Sequence, residues 1–114
     1  MTETKLPLEI DVQAVKQLRD KKQPFLLLDC RSQAEHEYAS IEGAKLIPMV
    51  ELPERIDELE SDREQVIVVY CHVGGRSMMV MQWLREKGFR LAQSMAGGID
   101  AWSQEIDETV PRYE

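Results

Sequence analysis

Residues 66–79 read Val-Ile-Val-Val-Tyr-Cys-His-Val-Gly-Gly-Arg-Ser-Met-Met. The first five are β-branched or aromatic without a break, as in a strand buried on both faces. Cys71 stands where that strand emerges, and Gly74-Gly75 turns the chain. A helix then opens at Gly75 or Arg76 and runs to Lys87-Gly88, a terminal cation followed by a glycine stop. The flanks repeat this alternation of strand and helix. Upstream, Asp11 caps a helix to about Lys21 with Val12, Val15 and Leu18 on one face, and Phe25–Leu28 is a short apolar strand. Ser32 caps a helix through about Ala39 with Glu35 in the capping-box position, and Lys45–Ile47 is a brief strand ended by Pro48. A helix over Leu52–Glu60 carries Leu52, Ile56 and Leu59 on one stripe. Downstream, Leu91–Ser94 is a further strand, and Gly97-Gly98 precedes a last helix, Ile99–Gln104. Strands separated by helices predict an α/β fold with a parallel sheet and helices on both faces. Ligands of such sheets sit beyond the carboxyl ends of the strands, where Cys71 stands.

Composition narrows the function. A chain of 114 residues fits one domain over 1–114 and buries roughly two-thirds of its unfolded surface without disulfide or metal staples. Fourteen basic against 21 acidic residues leave a net charge of −7, which argues against a nucleic-acid backbone or an anionic membrane as partner. No apolar run approaches the ~20 residues of a membrane span. The opening MTETKLPLEID has no basic-then-apolar leader, so a reducing cytoplasm is the expected compartment. Two cysteines and two histidines without zinc-like spacing predict neither a disulfide framework nor a metal site. The acidic run Glu51–Glu64 reads as a solvated helix face, with a docking surface for a basic partner as the sharper alternative.

The chemistry concentrates on Cys71. Loop glycines let successive N–H groups turn inward as an anion nest, and the helix after them points its positive end at the same spot. Arg76 adds a fixed cation. Each effect favours thiolate over thiol, so the Cys71 pKa is expected below its usual value of about 8.5. A thiolate in an anion cradle is a nucleophile suited to an anionic or sulfur electrophile.

With these residues in place, the sequence resembles the single-domain rhodaneses. The active-loop element is Cys71-His72-Val73-Gly74-Gly75-Arg76-Ser77. Leu28-Asp29-Cys30-Arg31, Glu37-Tyr38 and Ile41-Glu42-Gly43-Ala44 are similar to the family's Asp-Val-Arg, Glu-Tyr and His-Ile-x-Gly-Ala signature, and Gly97-Gly98-Ile99-Asp100-Ala101-Trp102 to its closing Gly-Gly-x-x-x-Trp. The resemblance implies a mostly parallel five-stranded sheet. It implies a sulfurtransferase that takes a sulfane sulfur from thiosulfate or a protein persulfide, holds it as a persulfide on Cys71 and passes it to cyanide or to a thiol. The loop residues His72, Val73, Gly74, Gly75, Arg76 and Ser77 would bind the substrate, Arg76 as the anion-binding cation, with no metal or organic cofactor. Dual-specificity phosphatases use a related Cys-x5-Arg loop. Here only four residues separate Cys71 from Arg76, and the tighter ring suits one sulfur better than a phosphoryl group.

Other residues carry paired readings. His72 stands where thiosulfate-active rhodaneses often have a cation; it either leaves Arg76 alone to balance a thiosulfate dianion or faces solvent without a role. Cys30 reads as a small packed residue, ahead of a relay thiol. Asp29 and Arg31 read as a structural charge pair supporting the loop, and His36 as a surface helix residue. Met78, Met79 and Met81 either pack in the core or rim the site for a partner. The tail from Ile106 to Tyr113 resembles the end of rhodanese domains fused to activating enzymes of molybdopterin and thiocarboxylate biosynthesis, which suggests a protein sulfur donor or carrier. A relay module with little small-molecule turnover is therefore the second expectation, and an arsenate-reductase or phosphatase activity the third. Oligomeric state is left open.

Overall fold

The structure is a computed structural model that describes residues 6–114; part of the leader reading falls on residues 1–5, outside the described residues. Five strands form one sheet in the order β1-β5-β4-β2-β3, every neighbouring pair parallel. They are β1 (Glu9–Ile10), β2 (Leu26–Asp29), β3 (Lys45–Leu46), β4 (Ile67–Tyr70) and β5 (Ala92–Met95). The helices are α1 (Val12–Asp20), α2 (Gln33–Tyr38), α3 (Leu52–Arg55), α4 (Gly75–Glu86) and α5 (Gly98–Glu105). The sheet is thus wholly parallel where a mostly parallel one was expected.

Alternation along the strands sorts the core into two layers. Leu28, Ile67 and Val69 face Leu52, Leu59, Val80 and Leu84, on the side of α3 and α4. Leu27, Val68 and Tyr70 face Val12, Val15, Ile99 and Trp102, on the side of α1 and α5. Helices therefore cover both faces. The caps form as the sequence predicts: the Asp11 carboxylate accepts from the Ala14 N–H at 2.8 Å, and Ser32 and Glu35 form a reciprocal capping box.

Four elements differ most clearly from the sequence reading. Strand β1 was not foreseen, because two residues at a sheet edge, one of them Glu9, carry no readable pattern. The helix expected over Leu52–Glu60 is a short α3 between 3-10 turns at Met49–Glu51 and Ile56–Asp62. A 3-10 turn eclipses residues three apart, so Ile56 and Leu59 reach the core together, as their spacing requires. Strands β2 and β5 begin one residue later than the apolar runs suggest, so that Asp29 and Met95 close them.

The end of β4 is held from the α5 side. The Ile99 amide donates to the Cys71 carbonyl at 2.9 Å and the Asp100 amide to the His72 carbonyl at 3.1 Å. Two N–H groups of the first helical turn, which have no acceptor inside α5, thus satisfy two carbonyls of the loop. The approach is so close that a Cβ on Gly98, at φ +61°, would strike the Cys71 and His72 carbonyl oxygens. Gly98→Ala is accordingly expected to lower stability by more than about 1 kcal/mol and to shift the Cys71 loop, as urea denaturation and the thiol alkylation rate would show.

Candidate active site

The site is the turn between β4 and α4. Gly74, at φ +118°, takes a conformation other residues rarely adopt and is the N-cap of α4. That turn carries the chain back over the sulfur. The Gly74 amide donates to Cys71 Sγ at 3.1 Å and the Ser77 amide at 3.4 Å, and the Ser77 hydroxyl lies 3.5 Å from the same atom. Ser77 Oγ in turn contacts Ser94 Oγ on β5 at 2.7 Å. Burial alone would push the Cys71 thiol up. The Ser77 hydroxyl and the amides of Ser77, Gly74 and Arg76 outweigh it and hold the thiol below its ordinary value. The residue is only 1% exposed, so the sulfur lies at the floor of its loop.

The remaining site residues split. Asp29 and Arg31 form a fully buried two-point ion pair, with Arg31 Nε 2.9 Å from Asp29 Oδ1 and Nη2 2.7 Å from Oδ2. Burial would raise the Asp29 carboxyl, but Arg31 and His36 bonds hold it below the usual carboxylate value. Arg31 also donates to the Ala39 carbonyl and to the Tyr113 hydroxyl, and the Tyr70 hydroxyl donates to Asp29. This is the structural pair expected of them. His36 corrects its surface reading: Nδ1 lies 2.7 Å from Asp29 Oδ2, because one helical turn from Ser32 brings it back over the end of β2. Cys30 is buried beside Tyr70, donates to its carbonyl at 3.5 Å, and burial pushes its thiol up to about 12.

Two loop side chains have partners that the sequence did not show. Arg76 was expected as the anion-binding cation. Its guanidinium instead makes a two-point ion pair with Glu35, each contact 2.8 Å, and of Arg76 it is the amide that bears directly on the sulfur. His72 does not face solvent without a partner, as one of its two readings had it. Its Nε2 donates to the Tyr113 carbonyl at 2.7 Å, and its ring stacks on Tyr113 with centroids 4.1 Å apart. Val73 points outward, 59% exposed, and Gly75 begins α4. The sequence reading missed Tyr113 and Ser94 and saw Glu35 only as a cap. A serine facing the core from the end of β5 was the one available signal for Ser94; Tyr113 reaches the site only through tertiary folding. The methionines differ in burial. Met81 is in the core, whereas exposed Met79 joins Met49, Leu52, Pro53, Val80 and Trp83 around an apolar groove of about 270 Å³ on α4.

A buried strand that delivers a cysteine into a ring of amides at the sheet's carboxyl edge is the architecture the motifs pointed to, and sequence comparison agrees. Residues 11–105 match the rhodanese-like domain, and the chain belongs to that family. It is 33% identical over 96 residues to a sulfurtransferase of Allochromatium vinosum, covering 84% of this chain and 88% of that protein. It is 38% identical over 103 residues to the adenylyltransferase and sulfurtransferase MOCS3-2 of Zea mays, covering 86% of this chain but 21% of that protein. The chain spans less than a third of the length of that relative and of others like it. Among solved structures, a rhodanese-like domain protein from Staphylococcus aureus superposes with a TM-score of 0.78 at 26% identity, covering 93% of this chain and 98% of that one. Among the described residues no helix is long and apolar enough to cross a membrane.

Because the Ser77 hydroxyl and amide oppose the burial of Cys71, Ser77→Ala should raise the pH midpoint of Cys71 alkylation. A lowered thiol pKa means that the reactive thiolate persists to lower pH, so the wild-type rate should still be high below about pH 8.5, where an ordinary thiol loses reactivity. Iodoacetamide rates followed by peptide mass across a pH series would measure this, with Cys30 unmodified throughout.

Proposed function

We propose that the protein is a sulfurtransferase that carries a sulfane sulfur as a persulfide on Cys71. The observation that carries this reading is the convergence of the Gly74 and Ser77 amides on Cys71 Sγ. Such a ring stabilises negative charge on sulfur without any side-chain cation. In the loading step the Cys71 thiolate attacks the outer sulfur of the donor. A new S–S bond forms, the donor's S–S bond breaks, and the electron pair leaves on sulfite when the donor is thiosulfate or on a thiolate when it is a persulfide. In the unloading step cyanide or an acceptor thiolate attacks the outer sulfur of the Cys71 persulfide, and the Cys71 thiolate is the leaving group. A lowered thiol pKa helps here too, because a more stable thiolate leaves more readily. In this reading no metal or organic cofactor takes part, and the protein works in a reducing cytoplasm.

Two features favour a protein as donor or acceptor. Relatives include one named putative sulfur carrier protein YrkF, of Bacillus subtilis, besides the maize protein named adenylyltransferase and sulfurtransferase. The sulfur lies almost wholly covered, with exposed Val73 on its loop and exposed Met79 on the helix that follows. Those observations support the relay form of the same chemistry, in which turnover on small molecules is slow. The tight four-residue spacing between Cys71 and Arg76, with the amides drawn onto one sulfur, disfavours a phosphoryl substrate.

Incubation with a sulfane donor should add one sulfur atom to the intact mass, removable by a reductant. Cys71→Ser should abolish the addition, and Cys30→Ser should retain most of it. Equal loss in both variants would overturn the assignment of Cys71 as the single carrier.

A further inference from the structure

The cations around the sulfur are already occupied. Arg31 is fully buried on Asp29. Arg76, the one arginine on the loop itself, is clamped at two points by Glu35. Glu35 is held in turn: the Tyr113 hydroxyl donates to its Oε2 at 2.8 Å, and the Ser32 amide to its Oε1 at 3.2 Å. The Arg76 guanidinium, with help from Tyr113 and the Ser32 amide and against partial burial, holds the Glu35 carboxyl far below the usual range. His72 is turned away to the Tyr113 carbonyl, and Val73 brings no charge.

We propose that Glu35 is a specificity-determining residue: by occupying the Arg76 guanidinium it denies the loop to oxyanion sulfur donors and leaves the site to sulfane sulfur delivered as a persulfide by a thiol. This rests on the sulfurtransferase reading above and adds the class of donor to it. A thiosulfate dianion approaching a thiolate needs a cation beside it. To recruit Arg76 it must displace Glu35, breaking two charge-assisted hydrogen bonds of fork geometry and stranding a half-buried carboxylate next to a second anion. A net charge of −7 adds long-range repulsion. A persulfide needs only to place its outer sulfur against Cys71. The Cys71 thiolate then takes that sulfur, the donor's S–S bond breaks, the donor leaves as its thiolate, and the persulfide proton stays on the transferred sulfur.

The test is Glu35→Gln, which removes the charge but keeps a side chain that can still close the capping box. Thiocyanate formation from thiosulfate and cyanide is compared with sulfur uptake from cysteine persulfide. The expected result is a fall in KM for thiosulfate of roughly tenfold, about the worth of one charge-assisted hydrogen bond, with a smaller change in kcat. The ratio of kcat/KM for thiosulfate to that for cysteine persulfide should rise accordingly. The double variant Glu35→Gln/Arg76→Ala should bring the ratio back to the wild-type value, since the gain requires a freed guanidinium. Tyr113→Phe, which removes one hydroxyl from Glu35, should move the ratio the same way by a smaller factor and serves if Glu35→Gln does not fold. An unchanged ratio in the folded single variants, or a rise that persists without Arg76, overturns the proposal. Wild-type protein that takes sulfur from neither donor would instead overturn the underlying sulfurtransferase reading.

Discussion

Two hydrogen bonds that do not touch the sulfur decide whether the site exists. The amides of Ile99 and Asp100 take up the carbonyls of Cys71 and His72. With those carbonyls turned toward α5, the peptide N–H groups opposite them, of His72 and Val73, are fixed as well. The turn then continues through Gly74 at φ +118°, and the Gly74 and Ser77 amides face Cys71 Sγ. The thiolate is thus stabilised indirectly, by a helix that reads the back of the loop. This accounts for Gly98, where any Cβ would intrude on the carbonyls it helps to hold.

A second layer of order comes from charge. Asp29, Arg31, Glu35, Arg76, Tyr70 and Tyr113 form one continuous polar network beneath and beside the loop. Among the described residues no buried side-chain nitrogen or oxygen lacks a partner, which is what lets a fully covered arginine persist in a protein of this size. The network also isolates the chemistry. The cations it contains are neutralised by carboxylates, so the depressed Cys71 pKa comes from hydrogen bonds donated at close range.

Much of the fold was legible because its elements are locally consistent. Val-Ile-Val-Val-Tyr admits little besides a buried strand, and Ser32 with Glu35 announces a helix start. Cys71 stood out because strand, glycine turn and helix fix its position in any parallel α/β sheet. Most of the failures depend on partners distant in sequence. Arg76 looks like a free cation until α2 brings Glu35 to it, and His72 looks idle until the segment at Tyr113 folds over it. Strand β1 is two residues long and is defined only by its partner, β5. The 3-10 turns after α3 follow a subtler rule, since a spacing of three between Ile56 and Leu59 satisfies either helix type.

The register of the outermost strands has a consequence for when reactivity arises. Glu9 pairs with Ser94, so the first strand cannot be laid down until β5 has been made. The amides that orient the Cys71 and His72 carbonyls come later still, from α5. A chain emerging from the ribosome therefore exposes an ordinary, sluggish thiol, and its nucleophilicity switches on only as α5 docks. Activation of the sulfur is in this sense a built-in report that the fold around it has closed.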